Sequence, residues 1–169
     1  MMFRAVQLVF LLLLTALTGS SEFLQIEVTF EDVGCASCVE SLEGRLARVR
    51  GVEKVEVDAE KRTATMRLEP GNQVRLSPLL SRITQDGTKV TGVVVNAKGT
   101  IDPAPEGAVF RPSGLTEIYR LQLAEGVARV QPRPGLVFVV QGTVTGTEAD
   151  SEPAITVSSF EAAGRNPPE

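Results

Sequence analysis

From Leu24 the side chains alternate, with Leu24, Ile26, Val28 and Phe30 on one face and Gln25, Glu27 and Thr29 on the other. A half-buried strand has this period of two. After the segment Gly34-Cys35-Ala36-Ser37-Cys38 the period lengthens. Val39, Leu42, Leu46 and Val49 recur at helical spacing, with Glu40, Glu43, Arg45 and Arg48 around them. Gly51 ends this helix, and a second strand follows through Val52, Val55 and Val57. A turn over Ala59–Arg62 leads to a third strand whose inward residues are Ala64, Met66 and Leu68. Ser77-Pro78 reads as an N-cap followed by Pro at the first helical position. The short helix it opens carries Leu79, Leu80 and Ile83, and Gly87 suits its C-terminal stop. Strand character returns at Val90.

The predicted fold class is α+β, and the order βαββαβ is the ferredoxin-like arrangement, here over residues 22–91. Beyond about Gly92 the helical period disappears, and Gly/Pro turns separate short strand-like runs. These are Val93–Ile101, Glu117–Leu123, Ala128–Gln131, Leu136–Val144 and Ile155–Phe160. They predict a small all-β domain over residues 92–163, an OB-like five-stranded barrel being the first choice. Residues 164–169 are polar and Pro-rich and read as a frayed tail.

The opening segment changes the picture of where the chain works. Arg4 precedes an apolar run from about Leu8 to Leu17, and Thr18, Gly19, Ser20 and Ser21 follow. Residues 1–21 read as a secretory signal, with cleavage near Ser20 or Ser21. The run is too short for a bilayer-spanning helix, which needs about 20 apolar residues. The expectation is an exported protein, periplasmic or extracellular, with no integral span after cleavage.

Composition removes several function classes. The chain of 169 residues has no His, so neither a Ser-His-Asp or Cys-His catalytic pair nor a mixed Cys/His zinc site can form. Without Arg4 the mature part carries 16 basic and 21 acidic side chains, a poor balance for holding nucleic acid. A non-enzymatic role is expected.

The chemistry that remains is two cysteines. Cys35 and Cys38 are separated by two residues where the first strand hands over to the first helix. In a first helical turn, unpaired N–H groups and the helix dipole stabilise a thiolate. Soft thiolates prefer monovalent copper or similarly thiophilic ions. Such ions accept two-coordinate binding, so two sulfurs suffice. Zinc normally takes four ligands, and this region adds only Glu31 or Asp32.

Residues from about Phe23 to Val95 resemble the heavy-metal-associated domain family, which includes copper chaperones, copper-ATPase N-terminal domains and the periplasmic mercury-binding protein. The features that carry the resemblance are the CASCV run, Leu42, Leu46, the Gly51-Val52 pair, Val55, Val57, Ile83 and Gly87. It implies that Cys35 and Cys38 bind the metal. Cu(I) is the first expectation, with Hg(II), Ag(I), Cd(II) and Zn(II) as alternatives. It also implies a protein partner as metal donor or acceptor, a membrane transporter among the candidates. Two departures stand out. The family usually has Gly and Met at the third and second places before the first Cys, where this chain has Asp32 and Val33. Eukaryotic copper chaperones commonly carry Lys just after the glycine matching Gly87; here Thr88 stands there and Lys89 follows.

Two other readings of the cysteine pair stay open: thiol-disulfide redox work and an inert disulfide. An oxidising compartment favours the disulfide, so metal binding there requires a reducing partner or rapid loading. Glu31, Asp32, Glu40 and Glu43 form an acidic lip that could dock a basic partner; the plainer reading is that Glu40 and Glu43 match the helix N-terminus while Arg45, Arg48 and Arg50 match its C-terminus. Met66 reads as core. Phe110, Tyr119 and Phe138 are too scattered for a base-stacking platform. Arg111, Arg120, Arg129 and Arg133 read as solvated strand charges. The β half is otherwise a candidate interaction module.

Overall fold

The structure is a computed structural model, and it describes residues 22–31, 36–129, 135–147 and 151–165. The expected signal segment, Cys35, Asp32, Val33 and the end of the tail lie outside the described residues.

The first half runs β1 (Glu22–Phe30), α1 (Ala36–Leu46), β2 (Val52–Asp58), β3 (Thr63–Leu68), α2 (Leu76–Thr84) and β4 (Val90–Ala104). The strands pair antiparallel in the order β2-β3-β1-β4. This is the expected βαββαβ order. The inward faces of the strands supply Ile26, Val28, Met66, Val93 and Val95, and the helices supply Leu42, Leu46, Leu76, Leu79 and Ile83. All are buried, as the two periodicities require.

Three local features differ from the alternation. A bulge between Phe23 and Gln25 buries Phe23 and leaves Leu24 half-buried, because an extra residue in β1 shifts which side chain faces the core. Helix α2 starts at Leu76 with Arg75 as its N-cap and no side-chain cap bond, so Ser77 is helical rather than the cap. Pro78 is tolerated there because first-turn N–H groups have no intrahelical acceptor. The turn before α2 is held by buried Asn72, whose Nδ2 donates to the Phe23 carbonyl at 2.9 Å and the Glu69 carbonyl at 2.8 Å. Gly51, at φ 91°, packs against it; a Cβ there would lie 2.9 Å from the Asn72 Cβ.

The second half adds β5 (Gly107–Pro112), β6 (Tyr119–Leu123), β7 (Leu136–Thr145) and β8 (Ala154–Arg165). The ladders form a ring: β4–β5, β5–β6, β6–β8, β8–β7 and β7–β4, with only β6–β8 parallel. The strand expected at Ala128–Gln131 is not observed, since Ala128 and Arg129 are irregular and the remainder lies outside the described residues. The fifth strand is instead Gly107–Pro112, whose ends carry turn-type residues that mask it in sequence.

Strand β4 joins the halves. Residues 90–98 pair with β1, 94–100 with β7 and 99–104 with β5. The expected division between residues 91 and 92 therefore falls within one continuous strand. The core is likewise continuous, running from the helix-covered sheet through Phe23 to Tyr119, Phe110 and Ile155.

Candidate metal centre

Strand β1 ends in backbone bonds that fix where the cysteine segment begins. The Phe30 N–H donates to the Arg62 carbonyl at 3.0 Å, and the Glu31 N–H donates to the Lys89 carbonyl at 2.8 Å. Helix α1 then starts at Ala36 and places Cys38 in its first turn. Cys38 is half-buried, one turn before fully buried Leu42 on the same helix face. The residue sits at the rim of the core, where helix amides favour an anion. In this structure Cys38 is disulfide-bonded. The chain's other cysteine is Cys35, which lies outside the described residues.

Two ion pairs bring the β4 side against this region. Lys89 Nζ lies 3.2 Å from Glu31 Oε2, both groups exposed, so the cation in question is engaged by the residue leaving β1. Thr88 serves Asp86 instead: its hydroxyl donates to Asp86 Oδ1 at 2.7 Å and its N–H to the same oxygen at 3.2 Å. Arg45, two turns beyond Cys38 on α1, donates from Nη2 to Asp86 Oδ2 at 2.6 Å. These contacts tie α1 to the turn between α2 and β4, where Gly87 adopts φ 89°. The Asp86 carboxyl is held down at about 2. The Thr88 hydroxyl acts most strongly, burial opposes it, and the Arg45 guanidinium and Thr88 amide add to the lowering.

Glu31 is paired with Lys89, and Asp32 lies outside the described residues. Glu40 and Glu43 are exposed on α1, but no acidic residue occupies its first turn, so they do not complement the helix N-terminus as expected. Arg45 does occupy the last turn. Met66 is fully buried core. Among the described residues no group of three or more His, Cys, Asp or Glu side chains is arranged to hold an ion.

In the second half, Arg111 pairs with Asp102 at 3.5 Å and Arg120 pairs with Glu152, while Arg129 is exposed. Arg133 lies outside the described residues. Phe110, Tyr119 and Phe138 are buried, so no aromatic platform faces solvent from them. The Arg45–Asp86–Thr88 network had no local signal, because Arg45 and Asp86 are 41 residues apart.

The heavy-metal-associated domain model matches residues 27–85, about a third of the chain. The matched segment, from within β1 to just past α2, is similar to heavy-metal-associated domains, a family whose members bind heavy metals. One solved structure, described as "Crosstalk between Cu(I) and Zn(II) homeostasis", is similar over 40% of this chain and 94% of its own, at 22% identity and a TM-score of 0.36. No curated protein matches the chain. Among the described residues no helix is long and apolar enough to cross a membrane.

Proposed function

We propose that this protein is an exported, non-enzymatic carrier or scavenger of a soft metal ion, Cu(I) before Hg(II), Ag(I), Cd(II) or Zn(II), bound by Cys35 and Cys38. The observation that carries the reading is the place of Cys38 in the first turn of α1 within a heavy-metal-associated domain. Two thiolates complete a site for an ion that accepts two ligands. Transfer follows by ligand exchange: a partner thiolate adds to the ion, and one of the two protein sulfurs then leaves. The leader-like segment at residues 1–21 supports export.

Loading requires the disulfide at Cys38 to be opened first. A dithiol reductant supplies two electrons and two protons, becomes a disulfide itself, and leaves two thiols that lose their protons to the solvent as the ion binds. The β half, residues 92–163, is read as an OB-like barrel on the strength of its five-ladder ring.

The test is Cu(I) titration of the fully reduced chain against a competing chelator, with Cys35→Ser/Cys38→Ser as the control. One tight equivalent that disappears in the control is expected. Absence of tight binding by fully reduced protein sinks the carrier reading. The disulfide at Cys38 favours a second reading, an exported thiol-disulfide protein. That reading predicts turnover of a dithiol substrate without metal.

A further inference from the structure

We infer that the outer face of β5 and β6 is a docking groove for an extended apolar peptide segment carrying a basic residue. The inference stands apart from the metal reading, because the groove is lined from Ala104 onward and takes no residue from the cysteine segment or α1.

The groove has a volume of about 440 Å³. Its floor is apolar: Ala108 and Val109 from β5, Ile118 before β6, and Pro105 and Pro153 from the flanking turns. Ile118 is 40% exposed and is the large hydrophobic residue that the described part of the chain leaves in water. A second pocket of about 220 Å³ adjoins it and shares Ile118 and Pro153, which lengthens the apolar track. Such a track suits a chain segment rather than a compact small molecule.

The sheet is also open there. β5 and β6 share only two residue pairs, Val109↔Arg120 and Phe110↔Tyr119. Gly107 and Ala108 pair with Ala104 and Pro103 on the β4 side and, among the described residues, with no strand on the other. Unpaired strand backbone beside an apolar floor is what an added strand uses.

Charge selects the occupant. Glu106 and Glu152 line the groove and Glu117 lines its continuation, whereas the lining cation Arg120 is already paired with Glu152. A lysine or arginine on the incoming segment therefore meets uncompensated acid. Nucleic acid is disfavoured by that charge, and no aromatic side chain lines the larger groove to stack a base or a sugar.

The test is selection of random linear peptides on the full chain, with a single-stranded oligonucleotide and a soluble oligosaccharide as parallel probes. The expected winners combine apolar positions with Lys or Arg. Ile118→Asp, a surface change, weakens their binding about tenfold or more. Glu106→Lys shifts the preference toward acidic peptides, a result that mere misfolding would not produce. Failure to enrich any peptide, winners indifferent to both substitutions, or Ile118-dependent binding of the oligonucleotide or oligosaccharide instead would each overturn the assignment.

Discussion

The ring of Phe23 meets the ring of Tyr119 edge to face, with centroids 6.3 Å apart and planes at 83°. Phe23 is the second residue of β1 in the first half, and Tyr119 opens β6, the third strand of the ring in the β half. Both are buried. The Tyr119 hydroxyl donates to Glu117 Oε2 at 2.8 Å, and burial with that neighbouring carboxylate pushes its ionisation well above the ordinary range. The tyrosine is thus a neutral hydrophobic bolt between the halves. Phe23→Ala should cost about 3–5 kcal/mol, as large aromatic deletions from cores do. A double-mutant cycle with Tyr119→Leu should return a coupling of about 0.5–1.5 kcal/mol. Denaturant unfolding of the four proteins measures both, and a coupling near zero would show that the contact is incidental.

The shared strand makes a stronger prediction about dissection. A chain ending at residue 91 loses the part of β4 from Gly92 to Lys98 that pairs with β1. It should lack a cooperative thermal transition. A chain ending at residue 104 keeps that ladder but uncovers Phe23, and should melt cooperatively at a lower temperature than the full chain. Circular dichroism melts distinguish these outcomes; equal melting of all three would mean the halves are energetically independent.

Close backbone approach at Gly99 sets the third expectation. A Cβ at this position would fall 2.2 Å from the Arg111 carbonyl oxygen and 2.8 Å from the Phe110 ring. The carbonyl belongs to the neighbouring β5 backbone and cannot swing away like a side-chain tip. Gly99→Ala should therefore destabilise by about 1–3 kcal/mol, within the range of overpacked cores. Gly44→Ala is the control, since a Cβ there would meet nothing within 4 Å.

Acid should loosen the tie between α1 and the α2–β4 turn. Asp86 titrates at about 2 when folded, against an ordinary 3.8. A depressed carboxylate favours the folded state above the unfolded value, and that stabilisation is lost as pH falls from about 4 to about 2. Thr88→Val removes the strongest lowering contact and should raise the Asp86 value, flattening the acid limb of the stability profile. NMR titration of Asp86 reads the shift directly; an unchanged midpoint in Thr88→Val would refute the assigned cause.

The Glu31–Lys89 pair should behave differently. Both side chains are more than half exposed, so water screens them. Lys89→Ala should change stability by only about 0–1 kcal/mol. Because the ammonium is engaged by Glu31, the substitution should also leave Cu(I) affinity nearly unchanged in the reduced chain. A large loss of affinity in the chelator competition would place Lys89 among the groups that support the ion.

The first half was legible because its signals are local. Val39, Leu42, Leu46 and Val49 mark a helix by their spacing, and Ile26, Val28 and Phe30 mark a strand. Cys35 and Cys38, with two residues between them at the change of period, mark a candidate site in the same local way. Each of these rests on side chains a few residues from one another, within reach of a single repeating backbone geometry.

The remaining features depend on residues far apart in the chain. A strand has two edges, and nothing in the run from Val90 to Ala104 says that one edge is divided between β1 and β5 while the other takes β7. The parallel β6–β8 ladder joins segments more than 30 residues apart. Gly107–Pro112 pairs as a strand although its end residues are turn formers, because the neighbouring β4 supplies a full set of partners. Phe23 rather than Leu24 faces the core because a bulge, set by pairing with β4, resets the alternation. Asp86 meets Arg45 only after both helices pack on the same sheet. The order of residues along the chain establishes which of them prefer water and with what period; folding establishes which distant edges and charges satisfy one another.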